Sequence, residues 1–130
     1  MIMTIKDLNE LMKNMSPELV KKKLVFCTID KTADLKILPI MVFREKEGVT
    51  LILRKEQADE YKLKYEGIWN MITLNVNSDL EAVGFLAKIT EALAKNNISV
   101  NTVSAYYHDH LFVLENKSKK ALDILKELSK

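Results

Sequence analysis

The segment 72-ITLNVNSDLEAVGFLAKITEALAKNNISVNTVSAYYHDHLFVL-114 carries the fold of this chain. Its lead-in, 68-IWNMITLNV-76, alternates as a strand. Ser78 and Glu81 make an S-x-x-E capping box, which predicts a helix starting at about Asp79. Val83, Leu86, Ala87, Thr90, Leu93 and Ala94 then recur at helical spacing, and Asn96-Asn97 stops the run. A strand is expected over 98–107, a turn at 108-HDH-110 and a second strand over 111–114. A final helix is expected from Lys117 to Leu128, with Ala121, Ile124, Leu125 and Leu128 on one stripe. The order is β-α-β-β-α, the ferredoxin-like order short of its last strand. That strand is expected from the other half of the chain. On this reading Gly84 lies inside the opening turns of a helix, where glycine costs roughly 1 kcal/mol against alanine.

The first half reads as a fainter copy. Residues 4–14 suggest a short helix capped by Thr4 with Asp7 three residues on, ended by Ser16-Pro17. Strands are expected at 23-KLVFCTID-30, 39-PIMVFRE-45 and 49-VTLILR-54. Lys46-Glu47-Gly48 supplies the hairpin turn, with Gly48 free to take positive φ. A polar helix follows at 55-KEQADEYK-62. Both halves contain strand, tight turn, strand and helix, so an internal repeat is expected. Setting Leu53 on Leu114 gives an offset of 61 residues. Two α+β units follow, residues 1–66 and 67–130, intimately joined, with helices on one face of antiparallel sheets.

The 130 residues suffice for one compact domain or two small ones in contact. A hydrophobic share of 48% and a charged share of 29% are those of a soluble globular protein. Net charge is +2, from 20 basic and 18 acidic residues, too balanced for a nucleic-acid binder. Lys21-Lys22-Lys23 is the basic cluster, read as a solvated strand entrance. The single cysteine, Cys27, sits in an apolar run and reads as a buried small hydrophobe. No intramolecular disulfide is possible, the N-terminus is too polar for a signal peptide, and no apolar run approaches the roughly 20 residues that span a bilayer. A cytoplasmic protein is expected.

The segment 72–114 resembles an ACT domain, the small-ligand regulatory module of amino-acid metabolism. The features that carry the resemblance are an apolar strand, a short polar loop, a glycine early in the helix, and N-N-I-S-V-N leading into the second strand. FREKEGVTLIL and AYYHDHLFV resemble a short bacterial family of tandem ACT proteins without an attached enzyme. The resemblance implies two ferredoxin-like βαββαβ sandwiches in tandem. It also implies a non-enzymatic regulatory protein, a homodimer without cofactor, that binds an amino acid between modules. The strand-to-helix loop, Asn75 to Asp79, would face the ligand, with Val83, Gly84 and Phe85 behind it. The ligand-binding residues so implied are Asn77, Ser78, Val83, Gly84, Phe85 and Asp109. A helix N-terminus offers unpaired N–H groups and partial positive charge to a carboxylate, and a glycine there lets the ligand approach. The stretch Tyr106 to Val113 is also similar to the tandem-ACT arginine sensors, where acids at the helix start and in the hairpin read the ligand. Asp109 matches the hairpin acid. At the helix, Glu81 is followed by Ala82, a departure that argues against arginine.

Other chemistries find less support. His108 and His110 would share a face if they lay in one strand, but Asp109 would then point the other way, and a structural zinc site needs four ligands. No G-x-S-x-G elbow, phosphate loop or H-E-x-x-H motif is present. Catalysis through His108 or His110 would lack a nucleophile. The RRM-type pattern is absent, and Tyr106 and Tyr107 are adjacent, so only one can face outward from a strand. Trp69 reads as core or dimer interface. The competing reading is a dimerisation or docking scaffold with an empty crevice.

Overall fold

The computed structural model describes residues 3–34 and 36–130. The chain forms two compact units, Met1–Lys21 with Asn70–Lys130, and Lys22–Trp69. The elements are α1 (Leu8–Asn14), β1 (Pro17–Ile29), β2 (Met41–Arg44), β3 (Val49–Arg54), α2 (Lys55–Glu60), β4 (Trp69–Leu74), α3 (Phe85–Lys95), β5 (Val100–Ser104), β6 (Asp109–Leu114), a 3₁₀ turn (Glu115–Lys117) and α4 (Ser118–Leu128).

In the larger unit the strand order is β1-β4-β6-β5, with β5 and β6 antiparallel. The strand missing from the β-α-β-β-α order is therefore the start of β1, far upstream in sequence. The Asn75 amide and side chain both donate to the Ser16 carbonyl, each at 3.3 Å, and the side chain also reaches Glu18 at 3.0 Å. These bonds tie the entrance of β1 to the exit of β4. The core joins Leu11 and Met15 of the α1 segment, Ile72 and Leu74 of β4, Phe85, Ile89 and Leu93 of α3, Leu111 and Val113 of β6, and Ala121 and Leu125 of α4.

In the smaller unit the order is β2-β3-β1, antiparallel throughout. Val25, Cys27, Val49, Leu51 and Leu53 share one face, on which Ala58 of α2 packs. Burial pushes the Cys27 thiol above its ordinary pKa, as for an inert core thiol. The three lysines 21–23 lie within β1 rather than at its entrance, with exposed side chains.

Several expectations need correction. The first helix is capped by Asp7, whose carboxylate accepts the Glu10 amide at 3.0 Å, and it begins at Leu8. Thr4 instead donates to Asp79 at 2.8 Å. Gly48 does not take positive φ. A Cβ there would lie 2.9 Å from the Ile29 carbonyl oxygen, so glycine is needed for close approach of main chain. The second hairpin turns at Ala105–His108, closed by the Ala105 amide on the His108 carbonyl at 3.0 Å. His108-Asp109-His110 is therefore not the tip. Tyr106 and Tyr107 are, which is why both are exposed.

Helices α2 and α3 stop in the same way. Lys62 and Asn97 adopt left-handed φ of 55° and 57°. After them, Leu63 donates to Ala58 at 2.9 Å, and Ile98 to Leu93 at 3.0 Å. Both are Schellman closures with an apolar residue folded back on the core.

Candidate functional site

The expected helix start at Asp79 fails, and the reason lies some seventy residues upstream. The Ile5 amide donates to the Asn77 carbonyl at 2.8 Å, and the Asp79 amide donates to the Ile5 carbonyl at 2.9 Å. Ile5 thus bridges Ser78 as a one-residue parallel strand. This pairing fixes residues 77–79 against Ile5, and the Ser78 amide donates to the Val76 carbonyl at 2.9 Å rather than to Glu81. Asp79 then closes a turn, accepting the Glu81 amide at 2.8 Å on its side chain and the Ala82 amide at 2.9 Å on its carbonyl. The Glu81 amide, and next the Thr4 hydroxyl, hold the Asp79 carboxyl below its usual pKa.

The helix begins at Phe85. Gly84 is its N-cap, with φ +90° and ψ −7°, and its carbonyl accepts the Lys88 amide at 3.1 Å. It lies outside the helical turns, and its reason is backbone conformation, since L-residues with a Cβ avoid positive φ. Space is secondary: a Cβ at Gly84 would meet only Leu8 Cδ2, at 3.8 Å. The helix phase shifts accordingly. Phe85, Ile89 and Leu93 face the core, whereas Val83 is 84% exposed and Ala87 and Ala94 lie outside.

A glycine cap has no side chain to satisfy the first helical amides. These amides border a pocket of about 150 Å³ between the 78–87 segment and the start of β6. Ser78, Asp79, Gly84, Phe85, Ser104 and Asp109 are among its lining residues. Of the six residues implied in the sequence, Ser78, Gly84, Phe85 and Asp109 come together here. Asn77 and Val83 do not line the pocket: the Asn77 carbonyl is taken by Ile5, and Val83 projects outward. Ser104 arrives through the β5–β6 register, opposite Asp109, which no motif announces.

Asp109 is the unusual member. It is only 6% exposed, and its Oδ2 accepts the Ser78 hydroxyl at 2.9 Å. The pocket therefore presents both signs: partial positive charge from the uncapped start of an eleven-residue helix, and a buried carboxylate. Its volume lies below the roughly 300–1,000 Å³ of drug- or cofactor-sized sites and suits a smaller molecule.

His110 follows Asp109 in β6 and so faces the other side of the strand; His108 lies just before the strand, its ring centroid 6.4 Å from that of His110. His108 Nδ1 lies 3.3 Å from the Val76 carbonyl; the carbonyl can only accept, so Nδ1 carries the proton. His110 Nδ1 lies 3.0 Å from the Thr73 hydroxyl. Burial, then repulsion from His108, pushes the His110 imidazole below its usual pKa. Among the described residues no group of three His, Cys, Asp or Glu side chains is placed to hold a metal ion, and no helix is long and apolar enough to cross a membrane. Trp69 packs edge-on against Phe26, with ring centroids 5.5 Å apart.

Comparison with known proteins gives a consistent family. ACT-domain models match residues 3–70 and residues 66–127. The chain is similar to a Vibrio cholerae protein of unknown function, described as a possible transport protein. Identity is 40%, over 96% of this chain and 98% of that one, with a TM-score of 0.85. A protein from Agobacterium tumefaciens shares the fold at 15% identity, covering 87% of each chain, with a TM-score of 0.70. The ligand-free regulatory subunit of aspartate kinase from Thermus thermophilus does so at 10% identity, covering 88% of this chain and 97% of that one, with a TM-score of 0.65. No curated protein matches the chain. With two family models in tandem across nearly its whole length, the chain belongs to the ACT-domain family, a family of regulatory modules.

Proposed function

We propose that this protein is a non-enzymatic regulator that binds an amino acid in the pocket at the start of α3. One observation carries the reading: uncapped helical amides and the buried Asp109 carboxylate border the same small pocket. A zwitterion satisfies both at once. Its carboxylate meets the amides of the Phe85 turn, and its ammonium group meets the acidic side. Ser78 holds the acid in place, and the left-handed Gly84 turns the chain so that the helix opens onto the pocket. The protein acts in the cytoplasm as a homodimer, and ligand shifts its association or conformation by binding one state more tightly than the other.

Thermal-shift screening against the twenty standard L-amino acids, followed by isothermal titration, tests this. A stabilising shift with at least one of them is expected. Absence of heat and shift with all of them removes the proposal.

The second reading, a docking scaffold, has its own support. The edge strand β2 leaves Val42 and Phe43 50% and 62% exposed beside unpaired main chain. A constant partner captured equally well with and without amino acids, together with a silent screen, would favour it.

A further inference from the structure

The hairpins of the two halves repeat at an offset of 60 residues. Strand β3, Val49–Arg54, corresponds to β6, Asp109–Leu114, and the two share the same sequence of buried and open positions up to their last residue. The hairpins agree: Arg44 pairs with Val49, and Ser104 with Asp109. The closing bonds, Glu45 to Gly48 and Ala105 to His108, fall at the same step. In this register Asp109 is the counterpart of Val49, and the two are buried alike, at 6% and 7% exposure.

A core position that is valine in one copy and aspartate in the other demands a cause. Burying a carboxylate costs several kcal/mol unless it is paired. Ser78 supplies one neutral hydrogen bond, to Oδ2. Among the described residues none donates a hydrogen bond to Asp109 Oδ1, and no side-chain oxygen or nitrogen is both sealed from solvent and unbonded. Oδ1 therefore keeps access to solvent, and Asp109 lines the pocket. The first copy also lacks the helix: among its described residues, β1 leads to β2 through 30–40 without a helical segment. Where the second copy has Asp109, the first has Val49, which joins an apolar core.

We infer that each chain holds one ligand, in the second copy of the repeat alone, and that Asp109 restricts it to molecules bearing a protonated amine. This rests on the proposed function and adds the stoichiometry and the charge selection. Oδ1 receives the ammonium group as a charge-assisted hydrogen bond. A 2-hydroxy acid of the same shape offers a neutral hydroxyl in its place and leaves the carboxylate without a counter-charge.

Each amino acid that binds in the screen is titrated beside its 2-hydroxy acid, for example L-serine beside L-glycerate and L-aspartate beside L-malate. One site per chain is expected, with the amino acid bound at least about tenfold more tightly. Asp109→Val, which installs the residue of the other copy, abolishes binding. Asp109→Asn, closer in shape, weakens it and narrows the gap between the two ligands. Circular dichroism and melting temperature establish that both variants fold. Two sites per chain, equal affinity for the hydroxy acid, or full binding by folded Asp109→Val would each overturn the inference while leaving amino-acid binding intact. A wild-type protein that binds no amino acid fails differently, removing the proposed function and this inference with it.

Discussion

At the scale of single residues, the two informative glycines answer to different physics. Gly84 has room for a methyl group and an unfavourable φ; Gly48 has ordinary φ and no room. Gly84→Ala is expected to cost about 1–2 kcal/mol, the left-handed penalty of an L-residue. Gly84→Asn, whose side chain tolerates that region, should cost less. Urea denaturation of the two variants measures the difference; equal losses would mean that crowding, not φ, dictates glycine there. His110 gives a pH signature. Its folded pKa lies below the unfolded value of about 6.5, so in mild acid the unfolded chain binds more protons. Stability is full above that pH and declines as pH falls through the folded pKa. His110→Gln should flatten this limb of the stability curve between about pH 7 and 5, read from denaturation midpoints.

At the scale of elements, hydrophobic spacing located α3 but placed its start six residues early and misassigned its buried face. The S-x-x-E signal at Ser78 is genuine capping chemistry, but the Ser78 amide goes to the Val76 carbonyl, the Glu81 amide to the Asp79 carboxylate and the Ser78 hydroxyl to Asp109, while Ile5 pairs with Asn77 and Asp79 on either side. Once the helix starts at Phe85, the buried stripe is Phe85, Ile89 and Leu93. Ile89→Ala should destabilise the protein by roughly 2–5 kcal/mol, as for a large-to-small change in a packed core. Val83→Ala should stay within about 0.5 kcal/mol, as at an open surface position. The reverse ranking in thermal or urea melts would restore the earlier helix start. The helix ends were easier to read. Asn97 stops α3 because asparagine accepts the left-handed turn that the Schellman closure needs.

At the scale of the whole molecule, the repeat was visible as a pattern and off by one in register. Aligning the apolar runs put Leu53 on Leu114, whereas the hairpin bonds put Arg54 there. The one-residue shift sets Val49 against Asp109. Residues 4–5 are the other long-range determinant, since they hold the loop bordering the pocket. A chain lacking residues 1–7 should lose protection from hydrogen exchange at the Asp79 amide, whose acceptor is Ile5. Amino-acid affinity should fall with it. Unchanged protection at Asp79, measured by NMR, would show that the loop keeps its shape unaided.

By itself, the sequence determined the α+β class, the ACT resemblance, the presence of both hairpins, the stop of α3 and a buried cysteine. Each depends on spacing and turn chemistry within a few residues. Tertiary structure alone decided where α3 begins, which strand completes the β1-β4-β6-β5 order, and which side chains share a pocket. In each of these, a local preference meets a competing hydrogen-bond partner from the far end of the chain. Local pattern carries no information about that partner.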